Sequence, residues 1–279
     1  MASLKTLFLS ISLLIMQTAM AQVRSPQGDS SERFFERKTQ TISSMTREWQ
    51  IYADSALLID PTNDHMWQIK GVPYLKSGDY ETAFRCYDKA VALNPQRWLS
   101  YRAFCKAIFL KDYQAALTDF EKADRDPHTP KYEMDHTFHF YKGLCYLGMK
   151  DFNQARLSFE KSMLQRRKDS GEDGVHYLEL FYLGVSWYRL GDYTQALTYL
   201  KQCETRYAQL PDLLYYMAAI YLEQKNTFLT MDYIKRAQTA MEQGYRITED
   251  NIYYANYPEL IAKEELDELF EKANQRPKR

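Results

Sequence analysis

One stretch, Trp67 to Pro95, constrains this chain more than any other. It places an aromatic ring at Trp67, a small residue at Gly71 and a ring at Tyr74, then Gly78-Asp79-Tyr80, then Ala83, Tyr87, Ala90 and Pro95. Apolar and small residues three and four apart mark two helices, and the Gly-Asp pair between them marks a tight turn. Gly71, Ala83 and Ala90 are small where the helices cross, and the rings of Trp67, Tyr74, Tyr80 and Tyr87 fill the space between them. Neither helix can hide its apolar face alone, so further copies must cover it.

Copies are present. The spacing from Gly71 to Ala83 recurs without change from Gly143 to Ala155 and from Gly184 to Ala196. Trp49, Ala53, Ala56 and Pro61 precede Ala83, Tyr87, Ala90 and Pro95 by one constant interval. A unit at about 98–127 has a regular second half (Tyr113, Ala116, Phe120, Ala123, Pro127) and a slipped first half at Ala103 and Phe104. A last unit runs from Leu214, Met217, Ala218 and Tyr221 through Ile234, Ala237 and Met241, and Gly244 ends it. This pattern resembles the tetratricopeptide repeat family, with Lys70 standing where the family usually has Leu. The resemblance implies an all-α fold: a right-handed superhelical solenoid of antiparallel helix pairs, about five repeats plus terminal capping helices.

The organisation expected is a signal peptide at 1–21, a flexible leader at 22–31, capping helices or a degenerate repeat at 32–61, a solenoid at 62–245, and capping helices with a tail at 246–279. Lys5, the apolar run Leu7 to Met16 and Ala19-Met20-Ala21 carry the signal reading, which predicts export to a bacterial periplasm and a mature start at Gln22. No later stretch approaches the ~20 apolar residues that a spanning helix requires.

With 36 basic against 37 acidic residues, no electrostatic footprint for nucleic acid is present. No Gly-rich phosphate loop, G-x-S-x-G elbow or H-E-x-x-H occurs, so neither an enzyme nor a cofactor is expected. Asp79, Asp112, Asp151 and Asp192 recur once per repeat at one register, which identifies them as caps of second helices rather than acid catalysts. The alternative from another class is a metal-binding or enzymatic module in the His128–His139 region, where His136 and His139 would share a helical face beside Glu133 and Asp135. His139, however, takes the packing position of Trp67. A self-assembling envelope protein is a third reading. Cys86, Cys105, Cys145 and Cys203 fall within helical patterns, with buried thiols the expected state and a Cys105–Cys145 disulfide the alternative.

The family resemblance also implies a site. In such proteins a second stripe of each first helix lines a concave groove that receives an extended peptide or helix. By register this stripe gives Gln68, Val72 and Leu75, then Phe140, Leu144 and Leu147, then Phe181, Val185 and Tyr188, then Tyr215 and Leu222. Gln68 and Val72 replace the Lys and Asn that grip chaperone carboxylates in some members. An apolar, aromatic groove for a protein or peptide partner is expected, unless these side chains pack against neighbouring helices or the chain's own tail.

Overall fold

A computed structural model describes residues 26–129 and 131–275; the expected signal peptide and the start at Gln22 lie outside them. The chain divides after Pro95 into two units. Thirteen α-helices occur among the described residues, with one two-residue hairpin as the only sheet.

The first unit holds α1 (Pro26–Thr39), α2 (Arg47–Ile59), α3 (Asp64–Ser77) and α4 (Tyr80–Leu93). Helix α1 begins inside the segment expected as a leader. Phe35, Ala53, Ala56, Leu57 and Met66 form a buried cluster, with Trp49 and Trp67 packed against it. Phe35 meets Trp49 edge to face at 4.8 Å, the arrangement favoured by ring quadrupoles.

The second unit opens with α5 (Pro95–Cys105), which passes into a π-helical turn at Lys106–Leu110, and continues through α6 (Tyr113–Arg125). Ala103 stands a single position further from Ala116 than the regular repeat spacing would place it, and the wider π turn absorbs the excess. After strands β1 (Tyr132–Glu133) and β2 (His136–Thr137) come α7 (Phe138–Gly148), α8 (Phe152–Ser170), α9 (Tyr177–Arg189), α10 (Tyr193–Arg206), α11 (Pro211–Glu223) and α12 (Thr227–Glu242). An irregular stretch then leads to α13 (Lys263–Asn274), which packs on α11 and α12.

Turns within pairs share one construction. A left-handed residue ends the first helix (Gly78, Lys111, Lys150, Gly191 or Lys225), and an Asp or Asn caps the second. Asp79, Asp112, Asp151 and Asp192 accept from Thr82, Ala115, Gln154 and Gln195 amides at 2.9–3.2 Å, as the repeated register predicts. Asn226 does the same for Leu229.

Helix crossings explain the small residues. A Cβ on Gly71 would sit 2.5 Å from the Tyr87 ring, on Gly143 2.7 Å from Phe159, and on Gly184 2.7 Å from Leu200. Phe159 is fully buried and stacked on Tyr182, so it cannot yield. Gly143→Ala is therefore expected to cost about 1–2 kcal/mol net, the overpacking penalty exceeding the helix-propensity gain; urea denaturation at pH 7 checks this.

Candidate functional site

The expected groove residues divide between the two units. On α3, Gln68 and Val72 are half-buried and Leu75 is buried. In the second unit Phe140, Phe181 and Val185 are wholly buried and Leu144 and Leu147 are 1% exposed, so these five do not stand open. Tyr188, Tyr215 and Leu222 are half-buried. The physical reason is that first helices bury both stripes. Phe140 lies under the His136 ring at 3.8 Å and meets Tyr182, while Phe181 meets Tyr182 and Tyr216.

The chain's own residues 246–262 complete the cover. Apart from a 3-10 turn at Asp250–Tyr253 this segment is irregular. It leaves α12, runs outward across the first helices and returns. Arg246 O accepts from the Tyr207 hydroxyl at 2.9 Å, and the Thr248 amide donates to the Tyr177 hydroxyl at 3.2 Å. Glu249 reaches His136 Nε2 at 2.5 Å, and Asn256 O accepts from Lys111 Nζ. On the return, Glu259 takes Arg189 Nε at 2.8 Å and the Tyr216 hydroxyl, and the Ile261 amide donates to Asp212 Oδ1 at 2.8 Å.

A charged cluster lies beneath it. His136 Nδ1 is 3.1 Å from Glu179 Oε1, which also takes Arg166 Nε at 2.8 Å and the Ser162 hydroxyl. Burial alone would push His136 down, but hydrogen bonds and charge from Glu179 and Glu249 outweigh it and raise its pKa. Burial would push both glutamates up; His136 chiefly, with Arg166 beside Glu179 and Tyr257 beside Glu249, holds them below the usual value. His176 is pushed down to about 4 by burial and then by the His136 charge. Asp212 is pushed up to about 6 by burial, against the Ile261 amide.

The cluster is a network of ion pairs and hydrogen bonds centred on Glu179. His136, His176 and Glu179 each bring a potential metal-ligand atom to within 4.8 Å of the others. Yet the Arg166 guanidinium already bonds Glu179 and lies 3.4 Å from His136 Nδ1, so a resident cation occupies the place where a metal would gain most. The helical His136–His139 pair is not formed: His136 sits on β2 ahead of α7, whereas His139 is on α7, its pKa lowered by burial and by Lys142. His128 is exposed in the loop after α6. His176 and Glu249 were missed in the sequence because neither shares a motif with His136. All four cysteines are buried free thiols, and burial pushes each of them up.

The fold defines a helical-repeat protein built of antiparallel helix pairs. Two family profiles described as tetratricopeptide repeat match residues 64–97 and 180–209. Those two segments are thus tetratricopeptide repeats. No curated protein matches its sequence. Among solved structures, it is similar to PilW, a widely conserved type IV pilus biogenesis factor (16% identity, TM-score 0.64, covering 82% of this chain and 98% of that one). It is also similar to Pseudomonas aeruginosa pilF (18% identity, TM-score 0.61, 78% and 93%). A third likeness is to a tetratricopeptide repeat protein from Parabacteroides merdae (16% identity, TM-score 0.50, 91% and 87%). At these identities the likeness is one of fold. No helix among the described residues is long and apolar enough to cross a membrane.

Proposed function

We propose that this protein is a non-catalytic interaction scaffold of the bacterial periplasm, which holds a segment of a protein partner against the first-helix face of its second unit. The observation that carries this reading is the manner in which that face already grips irregular polypeptide. Side chains of Tyr207, Tyr177, Lys111, Tyr216 and Asp212 bond backbone groups of the 246–262 segment, as a peptide receptor would. Half-buried Tyr188, Tyr215 and Leu222 lie on the same first helices and supply the accessible anchors, with Gln68 and Val72 the corresponding positions of the first unit. The signal-like sequence at 1–21 and the likeness to a pilus biogenesis factor fit an envelope setting.

Photo-crosslinking in cells expressing the full chain tests it. A crosslinkable residue in place of Tyr188 or Tyr215 is expected to yield a discrete protein adduct in the envelope fraction, while the same residue at exposed Leu164 on α8 yields none. Equal adducts at all three positions, or none at the two tyrosines, would count against the groove. N-terminal sequencing of that material is expected to start at Gln22.

A further inference from the structure

We propose that the first-helix face of the second unit recognises an irregular segment with one helical turn, bearing a carboxylate, a tyrosine eight residues on and a second carboxylate two residues further, and that residues 246–262 are its resident, exchangeable occupant. The proposal rests on the scaffold reading and names the chemistry of the partner.

Two layers of contact define the recognition. Five backbone groups of the segment, on Arg246, Thr248, Asn256, Glu259 and Ile261, bond to side chains of the surrounding helices and loops. Such bonds are indifferent to side-chain identity and would hold any chain of the same path. Selectivity comes from three side chains. Glu249 pairs with His136, Glu259 with Arg189 and Tyr216, and Tyr257 is buried at 3% exposure, its hydroxyl on Glu249. Charge-assisted bonds to Arg and to a buried imidazolium are the stronger kind, and they reject a segment lacking the carboxylates.

The resident segment is an imperfect occupant. The hydroxyls of Tyr141 and Tyr182 are buried without a hydrogen-bond partner among the described residues, although both tyrosines lie within electrostatic reach of Tyr257 and Glu249. An unmade hydrogen bond in a buried site is a cost that a better-fitted ligand recovers. Glu259 is held at φ 63, a left-handed conformation that a non-glycine residue keeps only under constraint from its contacts. A partner segment with the same spacing that bonds the two hydroxyls, and has no left-handed residue to maintain, displaces the resident one.

Hydrogen exchange on the wild-type full chain is the first test. The amides of Thr248 and Ile261 are expected to exchange at least tenfold faster than core amides of α9 and α11, through local release of the segment. Equal protection, meaning release only by global unfolding, would overturn the proposal. The second test titrates a labelled peptide of residues 246–262 into wild-type chain and into the triple variant E249Q/Y257F/E259Q. Tethered occupants act at effective concentrations on the order of millimolar, so the peptide is expected to bind the variant at least tenfold more tightly than the wild type. Absence of binding to a variant of wild-type helicity would also overturn it; if that variant loses helicity, the exchange experiment decides. Neither measurement needs the cellular partner. Protected segment amides alongside a specific Tyr215 adduct would remove exchange and leave the scaffold, and the reverse pattern would remove the scaffold alone.

Discussion

Phe181→Ala is expected to lower the free energy of unfolding by about 3–5 kcal/mol, the range for truncating a large buried ring. For a chain of this size that corresponds to a fall in melting temperature of roughly 6–20 °C. Phe181 is wholly buried and packs at 4.9 Å from Tyr182 and 5.9 Å from Tyr216. Its removal leaves a cavity between α9 and α11 that these rings cannot close without abandoning their own contacts. Tyr188→Ala provides the contrast. That ring is half-buried and meets Tyr216 edge to face at 5.2 Å, so its loss, partial burial and ring pair together, is expected to cost only about 1–3 kcal/mol. Thermal denaturation followed by circular dichroism separates the two. A Phe181→Ala protein whose melting temperature matched the wild type would show that the ring is an anchor and not core.

Glu179→Ala is expected to cost about 3–5 kcal/mol at pH 6, because it leaves the Arg166 guanidinium and the His136 imidazolium facing each other without their shared carboxylate. The pH dependence has a definite sign. His136 has a folded pKa above its ordinary 6.5, so its contribution is complete below that value and lost as pH rises through the raised one. Glu179 and Glu249 are held below 4.5, so their contribution is present above 4.5 and lost as pH falls through the lowered values. The cluster therefore holds best between those limits, where Glu249 also ties the 246–262 segment to the imidazolium. The wild-type advantage over Glu179→Ala is expected to be smaller at pH 9 than at pH 6 in urea denaturation, with a remainder due to Arg166. An advantage that grew with pH would contradict a charged His136.

His176 acts in the opposite direction and is the group to watch in acid. Its pKa of about 4 means that the folded protein keeps it neutral while the unfolded chain takes up a proton below about 6.5. Stability drawn from it is thus lost as pH falls from about 6.5 to 4. Asp212, at about 6, loses stability as pH rises from its ordinary value toward 6, because the unfolded carboxyl ionises first.

Much of the architecture is legible in the sequence because its causes are local. Gly71 meets Tyr87, Gly143 meets Phe159 and Gly184 meets Leu200, each pair at the same separation across one turn, so close packing leaves a repeating mark. The caps Asp79, Asp112, Asp151 and Asp192 act on amides three residues on, and they too repeat. The slip at Ala103 was visible as a break in the spacing, although its absorption by a π turn was not.

The state of the groove is another matter. Register alone places Phe140, Leu144, Leu147, Phe181 and Val185 on one stripe, but whether a stripe faces water depends on what is laid across it. That was decided by Glu249 meeting His136 over 113 residues, and by Glu259 meeting Arg189 over 70. Residues 246–262 read in sequence as part of the capping helices expected over 246–279, whereas the α-helix begins only at Lys263, and nothing in their order announces an irregular segment that returns to the repeats. Their position follows from a handful of charge-assisted and side-chain-to-backbone bonds that exist only once the helices have stacked. Helix pairs, caps and crossings are written in the order of neighbouring residues; which face is covered is settled only in three dimensions, because burial of that face depends on contacts between residues distant in the chain.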